Sequence, residues 1–307
     1  MKQFTSTRLF AVTSVIAAMF AAGCSEENYE PGGNVPNAAI ITASVGKAGS
    51  VASTRASNTA WDAGDCIGIS ASSAQGKTNY VNIRYMTDGS VFRPVPGAAG
   101  EDNTLYFQDA SPTEFTAYYP CEGANGTKPG SDGILTKPPP APHQSPANLP
   151  AIDYLWAQQT AQSSSPEVDF LFSHRMSRII LRFKSDDGVA FKATYTLTGV
   201  VTAGTFDTST GQAKATGTAS TLENLPMIPG EQPTGTVILW PQAAHALRLQ
   251  LTLDGTTSDD ALTFPAGGGL KPSTSYTFNV NVKSAGIKIE KADIEDWTYG
   301  GSKDITL

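Results

Sequence analysis

Three histidines, His143, His174 and His245, and three cysteines, Cys24, Cys66 and Cys121, are the side chains best suited to nucleophilic or metal chemistry in this sequence. A zinc site needs ligands spaced as in CxxC or HExxH, so that one local segment brings two of them to the ion. Neither spacing occurs. No GxSxG elbow presents a serine, and neither Cys66 nor Cys121 has a histidine close in sequence to activate it. Glu167 with Asp169, and Asp293 with Glu295 and Asp296, are carboxylate pairs of the kind general acid–base catalysis uses. In an acidic chain such pairs arise as solvated surface, and Asp259-Asp260 reads as a solvated turn. Gly267-Gly268-Gly269 runs into Leu270-Lys271-Pro272 and not into a helix, so it lacks the helix N-terminus that holds a phosphate. His174 reads as structural or as surface. The sequence predicts no enzyme, no metal ligands and no cofactor.

The aromatic groups Tyr118-Tyr119-Pro120, Tyr154-Leu155-Trp156, Trp240-Pro241 and Trp297 have two readings. Exposed, they would be platforms on which sugars stack. In strands they would plug a core, where each buries a large area, and that second reading is the stronger.

Cys24 carries a different chemistry. Lys2 and Arg8 precede the mostly apolar run Leu9–Ala22, and the small residues Ala21-Ala22-Gly23 precede Cys24. This is the layout of a secretory signal, and the run is shorter than the ~20 residues of a bilayer span. A Cys directly after the small residues resembles the lipobox of bacterial lipoproteins, with Ala21 where Leu is usual. Residues 1–23 are therefore read as a signal peptide and Cys24 as the acylated residue, whose chains (palmitate among them) would anchor the protein to a membrane. Ser25-Glu26-Glu27 follows as an acidic pair, either a surface-export signal or a solvated tether. Export removes Cys24 from the thiol count, and spacing alone leaves open whether Cys66 and Cys121 pair.

Charge narrows the partners. The chain has 21 Lys+Arg against 28 Asp+Glu, a net of −7, and so lacks the basic face that nucleic acid requires. With 29 Gly, 20 Pro and only 16% charged residues in 307, it is rich in turns and poor in helix-stabilising pairs.

The elements that would position these residues are strands. Ile179, Leu181 and Phe183 alternate with polar residues, as do Leu247, Leu249, Leu251 and Leu253, and Tyr276, Phe278, Val280 and Val282. Period two with one polar face marks half-buried antiparallel strands. Shorter strand-like runs lie at Ala38–Val45, Cys66–Ser70, Val81–Tyr85, Val91–Phe92, Thr104–Gln108 and Glu114–Tyr119. Thr136–Pro150 reads as an extended proline-rich loop. The fold class is all-β, in sandwiches, with a boundary near Ser163–Asp169. This divides the mature chain into a segment at 24–60, one domain at 61–167 and a second at 168–307.

Six ordered segments resemble one family. Trp61–Ile69 (WDAGDCIGI), Glu114–Pro120 (EFTAYYP), Asp153–Ala157 (DYLWA), Phe172–Phe183 (FSHRMSRIILRF), Leu270–Val282 (LKPSTSYTFNVNV) and Ile294–Trp297 (IEDW) are similar, in order, to motifs of the fimbrillin-like family. These are lipoprotein precursors of pili of Gram-negative anaerobes. The resemblance implies two transthyretin-like β-sandwich domains with antiparallel strands, and an outer-membrane lipoprotein delivered to the cell surface and built into a fimbrium. It implies removal of an N-terminal strand by an Arg-specific protease and polymerisation with other pilin subunits by strand exchange. Arg55, followed by Ala56 in a Ser/Ala/Thr loop, is the position to which the cleavage is carried. The C-terminal segment holding Ile294, Trp297, Ile305 and Leu307 is the candidate donor strand, or else it completes its own domain. An alternative reading is a monomeric surface lipoprotein that binds host or bacterial glycan through exposed aromatics.

Overall fold

Alternating apolar residues between Gly- and Asn-marked turns give strands through almost the whole computed structural model, which describes residues 37–46, 61–137, 144–185, 194–243, 247–253, 256–264, 268–283, 286–290 and 292–297. The chain divides into two units, Met1–Val35 and Pro36–Leu307. The first lies outside the described residues, and all the described strands belong to the second.

The strands are β1 (Ile40–Val45), β2 (Cys66–Ser73), β3 (Asn79–Thr87), β4 (Phe92–Pro94), β5 (Thr113–Tyr119), β6 (Ile134–Lys137), β7 (Leu155–Ala161), β8 (Glu167–His174), β9 (Ser177–Ser185) and β10 (Tyr195–Val200). They continue as β11 (Gly204–Asp207), β12 (Gln212–Ala215), β13 (Ser220–Leu225), β14 (Thr234–Leu239), β15 (Gln242–Ala243), β16 (Arg248–Leu253), β17 (Thr256–Ala261), β18 (Gly269–Leu270), β19 (Thr274–Lys283), β20 (Gly286–Ile289) and β21 (Asp293–Asp296). A seven-stranded sheet runs β1-β8-β7-β5-β2-β3-β4. Later in the chain lie β13-β10-β16-β17 and β14-β9-β19-β20, with β21 on β19. The pairings are antiparallel with two exceptions among the described strands: β1 runs parallel to β8, and β9 parallel to β19.

Two cores follow from the alternation. The first gathers Ile67, Ile69, Phe115, Ala117, Val168, Phe170 and Phe172 with Ile41 and Val45. The second gathers Ile179, Leu181 and Phe183 with Leu249, Leu251, Phe278 and Val280, all inward as the period-two reading expects. A third cluster joins residues from both halves: Tyr118, Leu135 and Tyr154 meet Phe206, Ile238, Trp240 and Trp297. Tyr154 stacks on Phe206 at 4.7 Å and on Trp240 at 5.6 Å. Gly204 permits this packing, because a Cβ there would lie 2.1 Å from the Trp240 ring. Buried Gln144 clamps β14 by donating to the Ile238 carbonyl at 2.8 Å and accepting from its N–H at 2.9 Å.

Two sequence expectations change. The boundary expected at Ser163–Asp169 meets the start of β8, whose Val168, Phe170 and Phe172 belong to the first core; the chain changes sheet at Arg175–Met176. An alternating strand looks the same from either domain, so the pattern could not assign β8. Within the expected proline-rich loop, Thr136 and Lys137 end β6, which pairs with β11. There the pairing across the two halves outweighs local composition.

Candidate functional site: the N-terminal strand and its groove

The run Ala38–Val45 is β-branched at its middle and forms the edge strand β1. Its register on β8 sets Ile41 beside Val168, Ala43 beside Phe170 and Val45 beside Phe172. Ile41 is 4% exposed, Ala39 and Val45 are buried, and Ala43 packs against the same core. The other face carries Ile40, which is 53% exposed, and Thr42, whose hydroxyl donates to Asp169 Oδ1. Ile41, and not its neighbours Ile40 and Thr42, thus fills the groove. In a strand a slip of one reverses every side chain, and adjacent Ile40 and Ile41 leave the parity ambiguous in sequence.

Main-chain bonds hold the strand on both flanks. The Ile40 N–H donates to the Pro166 carbonyl at 2.9 Å, and the Gly46 N–H to that of Phe172 at 3.0 Å. Across the groove, the Ala39 N–H donates to the Leu105 carbonyl at 2.8 Å and the Phe107 N–H to the Asn37 carbonyl at 2.9 Å. The opposing segment is itself fastened by Tyr85, whose hydroxyl accepts the Leu105 N–H at 3.0 Å. Burial pushes the Tyr85 phenol up to about 12. Trp61 closes the groove: its Nε1–H donates to the Ala43 carbonyl at 2.9 Å. Its ring meets Phe92, Tyr119 and Phe172 edge-on at 5.2–5.4 Å. Neither Trp61 nor Leu105–Phe107 stood out in sequence as a partner of β1. Only the pairing of residues far apart in the chain reveals them.

Burying Ile41 and Val45 is worth ~1.5–3 kcal/mol each, and the Ala39 and Ala43 methyls ~0.8 kcal/mol each. β1 therefore contributes about 5–8 kcal/mol of apolar burial, similar to the ~5–15 kcal/mol net stability of a typical domain.

The remaining sequence-predicted residues are scattered. Cys24, Arg55, Ala56, Ile305, Leu307, His143 and His245 lie outside the described residues. The Cys66 and Cys121 sulfurs are bonded, joining the start of β2 to the chain just after β5. Ile294 is 44% exposed on β21, whereas Trp297 is 2% exposed in its own chain. Trp297 stacks on His174 at 4.0 Å, with Arg178 at 4.8 Å from the ring centroid. Trp297 is accordingly corrected from donor tail to core residue: its ring closes the junction between the halves. His174 is held by Asp153, its Nδ1 lying 2.9 Å from Oδ2. Tyr118, Tyr119, Tyr154 and Trp240 are buried as well, and Trp156 is half-buried beneath Arg175. These aromatics are packing groups, and glycan binding through them loses its residues. Among the described residues, no three His, Cys, Asp or Glu side chains converge to hold a metal ion.

The chain matches the fimbrillin-like family over residues 54–297. A Bacteroides uniformis protein assigned as the fimbrium subunit Fim1C is 26% identical, with 94% of this chain and 95% of the relative aligned. A crystal structure from Bacteroides ovatus, assigned to cell adhesion, has a TM-score of 0.75 at 29% identity, covering 87% of this chain and 100% of its own. Another from Bacteroides uniformis, also assigned to cell adhesion, has a TM-score of 0.63 at 24% identity, covering 78% and 94%, and is a likeness of fold. The match over residues 54–297, together with the all-β architecture, makes this chain a member of the fimbrillin-like family of fimbrial and cell-adhesion proteins.

Proposed function

We propose that the protein is a pilus subunit or accessory adhesin, exported as an outer-membrane lipoprotein on Cys24 and activated by cleavage at Arg55. The observation that carries this reading is the seating of β1. The strand completes the first core, yet residues 47–60, which contain Arg55, are its covalent link to β2. A cut after Arg55 leaves it held by noncovalent contacts alone. The match to the family begins at residue 54, beside that position and beyond β1. Once β1 departs, Val168, Phe170 and Phe172 lose their cover and β8 becomes an open edge. A strand from another pilin subunit takes the place of β1 by β-addition. The donor is the C-terminal tail beyond Trp297, with Ile305 and Leu307 as its apolar residues. The two main cores are read as two transthyretin-like sandwich domains.

Treatment of the full chain with an Arg-specific protease is expected to remove the N-terminus at Arg55 and to produce SDS-resistant ladders. Arg55→Ala should block both. A cleaved chain that stays monomeric at high concentration would remove the stalk-subunit reading.

A further inference from the structure

The alternation that sends Leu181, Phe183, Val280 and Val282 into the second core turns Arg182 and Lys184 of β9, and Asn279 and Asn281 of β19, to the opposite face. Parallel register places Arg182 beside Asn279 and Lys184 beside Asn281. With strands ~4.8 Å apart and alternate residues ~6.7 Å apart along each, the four Cα positions form a grid about the size of a pyranose ring with its substituents. Gln232, two residues before β14, and Glu290, just after β20, wall a cleft of about 220 Å³ over this grid. Glu290 is fixed by the Asn281 amide, which donates to its Oε1 at 2.9 Å, and by its own N–H, which donates to the Asn279 carbonyl at 3.0 Å. Lys288, the register partner of Asn281, adds a cation beside it.

Among the described residues, Arg182 and Lys184 have no carboxylate within ion-pair distance, although the chain carries a net charge of −7. The Asn279 and Gln232 amides likewise make no hydrogen bond to described residues, so their donors and acceptors are available. Phe183 lines the cleft only from its floor, since its side chain is fully buried. Stacking is therefore not the mode of recognition. A guanidinium and an ammonium select an anion, and amides that both donate and accept select hydroxyls.

We propose that this cleft binds an acidic saccharide, with Arg182 and Lys184 on the carboxylate or sulfate and with Asn279, Gln232 and Glu290 on the hydroxyls. The site is on the second half of the chain and does not depend on β1 leaving its groove.

The test is calorimetric titration of the full chain with four probes: a hexuronate-containing disaccharide, a sulfated neutral disaccharide, the neutral disaccharide itself, and sodium sulfate. Binding of the first or second is expected, and which of them binds identifies carboxylate or sulfate as the anion. Arg182→Gln with Lys184→Gln should weaken it at least about tenfold, and Glu290→Gln should tighten it by removing a like charge. All three positions are exposed, so thermal melts should confirm unchanged folding. Equal binding of the neutral disaccharide, binding of sulfate as tight as that of either acidic sugar, or no heat at roughly 10 mM of any probe would overturn the proposal.

Discussion

Ile41 and Ile40 are neighbours of one residue type, and the fold gives them opposite fates. Ile41 lies on the core face of β1, 4% exposed, whereas Ile40 is 53% exposed. Truncating a buried Ile to Ala costs ~2–5 kcal/mol, the transfer term plus a cavity that neighbours fill only in part. At an edge strand, which relaxes more readily than a central one, about 2–4 kcal/mol is expected for Ile41→Ala. For a chain of this size that lowers the melting temperature by roughly 5–15 °C, at ~2–4 °C per kcal/mol. Ile40→Ala, on the solvent face, should stay within ~0.5 kcal/mol of wild type. Circular-dichroism melts of the uncut chain make the first comparison. After cleavage the same loss weakens retention of the noncovalent strand by roughly 30–700-fold, at ~1.4 kcal/mol per tenfold. Size-exclusion chromatography of the freshly cleaved chain, dilute enough that no subunit strand has yet replaced β1, would then show the N-terminal fragment released from the Ile41→Ala protein and retained by Ile40→Ala. Equal destabilisation by the two substitutions, or a larger effect at Ile40, would refute the register and the groove energetics built on it.

Two further predictions concern how the rest of the molecule is fastened. Trp297→Ala should cost ~3–5 kcal/mol in urea unfolding of the monomer, because it empties the space between His174 and Arg178 and uncovers the Asp153–His174 pair; a loss under ~1 kcal/mol would mean that Trp297 does its work outside its own subunit. Burial raises the Tyr85 and Tyr118 phenols from 10.0 to about 12, so their contribution is complete below pH 10 and is lost as pH rises through about 12. The urea midpoint should fall across that interval, and Tyr85→Phe with Tyr118→Phe should flatten the fall. An unaltered slope in the double variant would show that other groups control alkaline stability.

Much of the second half was legible because its strands alternate without ambiguity. Leu247, Leu249 and Leu251 can face only one way if Arg248 and Gln250 are to reach water, and the structure places them so. The aromatics were legible as core for a related reason: a ring flanked by strand residues has no cheaper place than the interior, as Tyr118, Tyr154 and Trp240 illustrate. The N-terminal strand was legible as a strand but not in its facing, since Ile40 and Ile41 satisfy either parity. Its parallel course along β8 was beyond local pattern altogether, because β-propensity carries no information about direction. The cleft at Arg182 was hidden for the opposite reason. Its polar residues are those any solvated strand face would carry, and only the register of β9 on β19 brings them together.

The parity of β1 also constrains what can replace it on the proposed route. The groove receives a small, a large, a small and a large side chain in succession: Ala39, Ile41, Ala43 and Val45. Trp61 donates to the carbonyl of Ala43 and its ring fills the adjoining volume against Phe92 and Phe172, so a bulky residue at that position would collide with a group that stays behind after cleavage. An incoming strand therefore has to keep its bulky side chains away from the position that Ala43 occupies. An unfilled groove would leave Val168, Phe170 and Phe172 beside the unpaired edge of an eight-residue strand, an arrangement prone to indiscriminate pairing. Replacement that begins at one end while β1 still occupies the other avoids that state. It also makes the order of bond breaking testable: Asn37→Ala removes the 2.6 Å bond from its Nδ2 to the Ser163 carbonyl at the N-terminal end, and Thr42→Val removes the bond to Asp169 at the middle. If exchange starts at the N-terminal end of β1, Asn37→Ala should speed polymerisation of the cleaved chain more than Thr42→Val does. The reverse ranking would place the first opening elsewhere along the strand.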